Sequence, residues 1–347
     1  MEVPVANVAT ARANPACYQQ AGALLQVRDL TVRFSQEGRE FTAVDRVSFD
    51  IASGEIVGLL GESGCGKTTV ALSLLCLLPD AAKVTCSSIF FRGRDFCLLD
   101  ESQLCEVRGA EVAIVYQDSS VLNPVIRVGN QVSGVLRAHR RCSARQAREE
   151  AEAVFAMIGL RDFDRIYNAY PHQLSGGQRQ RIAIAQALIC KPRLVIADEP
   201  IASVDHNTAR EILDFMKQMK ESSGTSFLFI THDPAALAAI ADRAIVMYAG
   251  QIVETGPLPE AYSQPLHPYT DALLQCAPQR IASKDSEYGK RRLPCIPGKS
   301  PDPLEVLPGC SFSNRCKDRM EICDSRRPEQ IQVSPCRSAR CFKYELG

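Results

Sequence analysis

Unbroken apolar runs recur along the chain at residues 56–60, 112–116, 194–197, 227–230 and 244–248. Each has the length of a strand buried on both faces, where neither face needs polar residues. Most are separated by stretches of helical period. Residues 208–220, for example, place Ile212, Leu213, Met216 and Met219 on one face, with Arg210, Asp214, Lys217 and Lys220 largely off it. Strands alternating with helices predict an α/β fold, a mainly parallel sheet covered by helices. From about residue 101 to 187 the pattern turns mostly helical, and the charged stretch 143–152 reads as a solvated helix start, so a helical subdomain inserted into the α/β core is expected. Beyond Cys276 the prolines at 278, 294, 297, 301, 303 and 308 interrupt any period. Helix and strand interiors reject proline, which predicts an irregular extension over 277–347. The expected layout is a loose leader (1–23), a core domain (24–276) and that extension, with no internal repeat.

Composition narrows the function classes. The 347 residues are 46% apolar, enough for one large core and something smaller. Forty basic residues balance forty acidic ones, so no basic face for nucleic acid is signalled. No apolar run reaches the roughly 20 residues of a membrane span; even the Ala-rich stretch 234–248 is cut by Asp242 and Arg243. The first residues, with Pro4 and Pro15, lack the basic start and apolar centre of a secretion signal. A cytosolic setting is therefore expected. There, the 15 cysteines point to buried thiols or metal ligation rather than disulfides. Five of them, Cys310, Cys316, Cys323, Cys336 and Cys341, crowd the C-terminal end.

The chemistry is concentrated in three places. Gly61-Glu62-Ser63-Gly64-Cys65-Gly66-Lys67-Thr68 fits the phosphate-loop pattern G-x-x-x-x-G-K-[ST], between a strand and an apolar helix expected over 68–78. Glycines let the backbone wrap phosphates, and the N–H groups of the helix start point into the anion. Lys67 is expected to reach the β and γ phosphates, the Thr68 hydroxyl to bind magnesium, and Thr69 to add a phosphate contact. Cys65, near the positive end of that helix, is expected to have a lowered pKa and raised reactivity. Second, the strand 194–197 delivers Asp198 and Glu199, adjacent acids that suit a magnesium ligand and a general base for the attacking water. Third, Leu174-Ser175-Gly176-Gly177-Gln178 precedes a helix expected over 178–189.

Together these motifs resemble the ATP-binding subunits of ABC transporters over about residues 24–275, and more narrowly the dipeptide, oligopeptide and nickel import group. The resemblance implies a P-loop NTPase core that hydrolyses ATP with Mg2+. It places Phe34 where the family stacks an aromatic ring on adenine. It makes Gln117 the glutamine that senses magnesium and couples to the membrane subunits, and His232, in Thr231-His232-Asp233, the switch histidine that holds γ-phosphate and water. It also implies that two cassettes close face to face, so that Ser175, Gly176, Gly177 and Gln178 cover nucleotide held by the other cassette, with Asp205 crossing the interface. The narrower likeness rests on Tyr170-Pro171-His172, on Leu122-Asn123-Pro124-Val125, and on Ile296-Pro297-Gly298 followed by the cysteines. Two departures are visible: Ile201-Ala202-Ser203-Val204-Asp205 stands where the group has Thr-Thr-Ala-Leu-Asp, and no proline follows Gln117-Asp118.

As a member of this group the chain is expected to work at the cytoplasmic face of the cell membrane. Its implied partners are two transmembrane permease subunits, a second ABC ATPase of the same or a paralogous chain and, indirectly, an extracytoplasmic solute-binding protein; nucleic acid is not among them. Group members can carry a 4Fe–4S cluster, here on Cys310, Cys316, Cys323 and Cys341, with Cys336 as an alternative fourth ligand, and zinc or inert thiols as the other readings. The rival from another class is a soluble ABC ATPase acting on nucleic acid or ribosomes. The balanced charge and single phosphate loop count against it.

Overall fold

The computed structural model describes residues 23–36, 38–117, 121–277, 295–305 and 307–345. The leader up to residue 22, Asp118 and Ser119 after the glutamine, and Pro278 and Pro294 lie outside the described residues.

Two sheets form the molecule's frame. The first is antiparallel: the long strands β1 (Ala23–Gln36) and β2 (Arg39–Ala52) pair with each other, and β4 (Ala82–Thr85) and β5 (Ser88–Phe91) pair with β1. The two-residue strand β6 (Arg94–Asp95) extends β5. The second is built on β3 (Ile56–Leu60), β7 (Val112–Val115), β8 (Leu194–Asp198), β9 (Ser226–Thr231) and β10 (Arg243–Tyr248). These are the five apolar runs, and they lie parallel in the order β10-β3-β9-β8-β7.

Burial on both faces explains why the runs are unbroken. Val57 and Leu59 of β3 join Leu228, Ile230, Ile245 and Met247 in packing toward the antiparallel sheet and α1 (Lys67–Leu74). Ile56 and Leu60 instead join Phe227, Phe229 and Val246 against the opposite helices. Those include α6 (Gly176–Leu188), α7 (His206–Ser223) and α8 (Pro234–Ile240). Helix α7 buries Ile212, Leu213, Phe215, Met216 and Met219.

Between β7 and β8 run α3 (Val128–His139), α4 (Ala144–Met157), α5 (Phe163–Asn168) and α6. The charged start of α4 is fixed by a capping box between Ser143 and Gln146. The stretch expected to be mostly helical from residue 101 begins with α2 (Glu101–Val107) but then contains β7, a strand of the main sheet. Helix α1 stops at Leu74 rather than running to residue 78, and Cys76 takes a left-handed conformation (φ 51°).

The C-terminal region also departs from expectation. Strand β11 (Gln251–Pro257) pairs antiparallel with β10 and is followed by α9 (Leu258–Ser263) and α10 (Pro268–Gln275). The tail then contributes a one-turn helix, α11 (Ile322–Ser325), and a hairpin of β12 (Ile331–Ser334) and β13 (Arg337–Ala339). Strand β13 pairs with β11 and so extends the main sheet. It is not irregular throughout because three residues suffice for a strand when an existing edge supplies the partner; such a segment needs no period of its own.

Candidate functional site

The parallel order assembles the chemistry. The carboxyl ends of β7, β8, β9 and β3 point the same way and carry Gln117, Asp198-Glu199, Thr231-His232 and the loop from Gly61, in that spatial order. In open parallel sheets this edge is where ligands bind.

Two glycines show how tightly the loop is threaded. A Cβ on Gly61 would lie 2.4 Å from the Met247 carbonyl oxygen. Gly66, at φ +102°, takes a conformation that strains any other residue, and a Cβ there would lie 2.4 Å from the Ala43 carbonyl oxygen. The buried Lys67 Nζ donates to the carbonyl oxygens of Gly61 (2.8 Å) and Glu62 (2.9 Å). It is thus held at the loop's centre by acceptors that a phosphate can replace.

Asp198 is 2% exposed, and its Oδ1 has no hydrogen-bond partner among the described residues. Burial raises its pKa, opposed by hydrogen bonding to Thr68 and the charge of Lys67. A dehydrated carboxylate oxygen without a hydrogen-bond partner, beside a threonine hydroxyl, has the chemistry of a divalent-cation ligand. Glu199 is buried in a left-handed conformation (φ 47°) that costs a non-glycine residue energy and is favoured where function requires it. Both its carboxylate oxygens lie 2.7 Å from His232 Nδ1. The pair couples the ends of β8 and β9.

A cavity of about 840 Å³ opens over this edge. Its walls include residues 62–69 of the loop, Gln117, Glu199 and Phe34. Phe34 stacks on Phe41, with ring centroids 5.6 Å apart and planes 24° apart, making an aromatic face on the antiparallel sheet. Residues 300–305 of the tail also line it. The residues 175–178 are not brought to this cavity. Ser175 caps α6, accepting from the Gln178 N–H while Gln178 Oε1 accepts from the Ser175 N–H, and Ser175 and Gly176 are exposed. Asp205 caps α7 by accepting from the Asn207 and Thr208 N–H groups and the Thr208 hydroxyl, which together hold its carboxyl below the usual range.

Comparison with known proteins decides the family. Residues 44–202 match the ABC transporter family, and residues 253–323 match the oligopeptide/dipeptide transporter C-terminal region. A protein of Sinorhizobium fredii named a probable peptide ABC transporter ATP-binding protein is 41% identical over 326 residues, covering 93% of this chain and 96% of that protein. A dipeptide transport ATP-binding protein of Bacillus subtilis is 39% identical over 321 residues, covering 92% and 94%. The chain belongs to the ATP-binding subunits of peptide ABC transporters. It is an ATPase. Among solved structures, a dimeric ATP-binding cassette in a post-hydrolysis state, bound to ADP and Pi, superposes with a TM-score of 0.62 at 28% identity, covering 67% of this chain and 98% of that one. No described helix of this ATPase is long and apolar enough to cross a membrane.

Within this family frame, two cysteine expectations meet the structure differently. Cys65 is 6% exposed, and burial pushes its thiol pKa up, outweighing the charge of Lys67. The lowered pKa expected from the helix end is therefore wrong: dehydration of a thiolate dominates. In the tail, Cys310, Cys316, Cys323 and Cys341 share one neighbourhood, each of their thiols within electrostatic reach of the others. Cys336 lines a different cavity with Arg28 and Asp50. No group of three or more His, Cys, Asp or Glu among the described residues is gathered to hold a metal ion, so neither the zinc nor the iron reading has a formed site in its favour.

The sequence reading missed the residues that brace the loop from outside. Glu62 N–H donates to Tyr269 Oη (2.9 Å), and the Glu62 carboxylate receives Arg315 and Ser300 of the tail. An acid inside a phosphate loop was the one available signal, since it calls for a cation partner.

Proposed function

We propose that this ATPase powers uptake of peptides or a related small solute through two separate permease subunits fed by an extracytoplasmic binding protein, working at the cytoplasmic face of the membrane. The observation that carries the proposal is the separation of the site into two parts: the phosphate loop, Asp198, Glu199 and His232 share one edge, whereas Ser175–Gln178 lie outside its cavity, with Ser175 and Gly176 exposed and Gly177 and Gln178 half-buried. A complete site then requires a second cassette, the same chain or a paralogue, whose Ser175 and Gly177 counterparts cap the γ-phosphate, assisted by Gly176 and Gln178 and by Asp205 at the interface. The dimeric state of the solved cassette supports this arrangement.

In this reading Lys67 and the N–H groups of residues 63–69 hold the phosphates, and Phe34 offers its face to the adenine. Thr68, Asp198 and Gln117 fit a magnesium ion, which supplies neutralisation of phosphate charge. Glu199 accepts the proton of the attacking water, and His232, at 2.7 Å, orients the carboxylate and contacts the γ-phosphate. The helices between β7 and β8 form the subdomain that, with Gln117, faces the permeases. The four tail thiols are a donor set suited to a 4Fe–4S cluster, which holds each cysteine on a different iron and so spreads them wider than a single ion does. Cys341 rather than Cys336 completes the set, and the cluster would staple the tail; no step of hydrolysis passes through it.

Purification of the tagged protein from detergent-solubilised membranes tests the reading. Two integral membrane subunits should co-purify, and ATPase turnover should rise when the complex is reconstituted with its solute-binding protein. Recovery with nucleic acid or ribosomes, and no membrane subunits, would establish the rival soluble class instead. The solute held by the partner binding protein identifies the cargo.

A further inference from the structure

A phosphate loop that carries a carboxylate faces an electrostatic problem, because Glu62 sits in the segment that must accept a polyanion. The solution lies 253 residues away, in the tail. Arg315, with a side chain only 6% exposed, spans both carboxylate oxygens of Glu62: Nη1 donates to Oε2 (2.7 Å) and Nη2 to Oε1 (2.9 Å). Ser300 adds a hydroxyl donor to Oε2 (2.7 Å). Burial works to raise the Glu62 pKa, but the hydrogen bonds of Arg315 and Ser300 and the Arg315 charge hold it below the usual carboxylate value.

Arg315 is itself held in place from three directions. Its Nε donates to the Pro297 carbonyl (2.9 Å), so the Ile296-Pro297-Gly298 turn anchors its stem. Its Nη1 also reaches Tyr248 Oη (3.2 Å) at the end of β10. The guanidinium carbon lies 5.7 Å from the Tyr248 ring centroid and 6.0 Å from that of Phe312. Phe312 packs edge-on against Tyr248 and Tyr269, whose hydroxyl accepts the Glu62 N–H. Both tail motifs, the Ile-Pro-Gly turn and the segment between Cys310 and Cys316, thus converge on one loop residue.

We propose that Arg315 is a positioning residue of the ATP site that acts through Glu62: it fixes this acid away from the bound phosphates and cancels its charge, so nucleotide binding depends on a docked C-terminal tail. The proposal rests on the reading of this loop as the ATP site. Without Arg315, the Glu62 carboxylate would be left half-buried and uncompensated, free to compete with phosphate for Lys67 and to repel it. The weakening should grow with the charge of the ligand. A tail that merely adds stability would weaken all nucleotides alike.

The test measures Kd by calorimetry for Mg-ADP and a magnesium complex of a non-hydrolysable ATP analogue, using full-length protein. Arg315→Gln should weaken the ATP analogue on the order of tenfold, the scale of one uncompensated charge near a phosphate site, and weaken ADP less. The double variant Glu62→Gln/Arg315→Gln replaces the ion pair by two neutral amides able to bond each other, and should regain most of the lost affinity. Limited proteolysis of the tail in both variants checks docking. Unchanged affinity in Arg315→Gln, equal loss for both nucleotides, or a double variant no tighter than the single one would overturn the proposal. Wild-type protein that bound neither nucleotide would instead overturn the reading of the site itself.

Discussion

Replacing Glu199 by Gln isolates proton transfer from everything else the residue does. The amide has the same shape, tolerates the left-handed backbone (φ 47°) no worse than the acid, and keeps an oxygen to accept from His232 Nδ1, now 2.7 Å away. Packing and nucleotide binding should therefore survive. What disappears is the ability to take a proton, and the buried position of residue 199 leaves little solvent to act in its place. Loss of a positioned general base costs about 10² to 10⁴ in rate, or roughly 3 to 5 kcal/mol of barrier. The decisive assay is single-turnover hydrolysis with enzyme in excess over labelled ATP, which removes product release from the measured rate. Size-exclusion chromatography alongside it should show the closed dimer persisting with ATP bound. A single-turnover rate within about threefold of wild type would refute the assignment and shift suspicion to His232 or to a water held by the magnesium ligands.

Two further outcomes are expected. His267 caps α10 by accepting the Tyr269 N–H on Nδ1 (3.0 Å) and is fully buried, which pulls its pKa down to about 3 from 6.5. The unfolded chain then binds the extra proton between these values, so this contribution is full above about pH 6.5 and is lost as pH falls toward about 3; at pH 5 the loss is about 2 kcal/mol, and His267→Asn, which can cap but not titrate, should flatten that part of a urea-midpoint profile against pH. Protein purified without oxygen should absorb broadly near roughly 400 nm and carry about four irons per chain, Cys316→Ser should bleach it, and Cys336→Ser should not; colourless protein with no metal would leave the tail thiols as packing residues.

The parallel core was readable because its strands are buried on both faces, so apolarity alone marks them. All five runs became neighbouring strands, and the loops leaving four of them carry Gly61, Gln117, Glu199 and His232. The antiparallel sheet was less legible: β1 and β2 pair over long irregular registers with bulges, for which a short-window alternation gives little signal. The hairpin of β12 and β13 left no trace because its stability comes from the edge of β11, a partner some 80 residues away in sequence. Cys65 failed for a different reason. The local rule, a thiol near a helix N-terminus beside a lysine, is sound, but Cys65 is buried in the core that packs α1 and β3 against the antiparallel sheet, and burial, a property of the fold, decides which effect dominates.

Glu62 marks the boundary between what a sequence can pose and what only three dimensions can answer. A carboxylate within an anion-binding loop is an anomaly visible from the residues alone, and electrostatics requires a cation to resolve it. Forty basic side chains were available, and nothing in their spacing distinguished one from another. The structure selects Arg315 because the tail's turn at Pro297 and the ring of Phe312 fix a guanidinium where its two arms meet both oxygens. A lysine in that place would supply the charge but not the two-point grip. The choice of arginine thus argues that orientation of the loop, as well as neutrality, is what the tail provides.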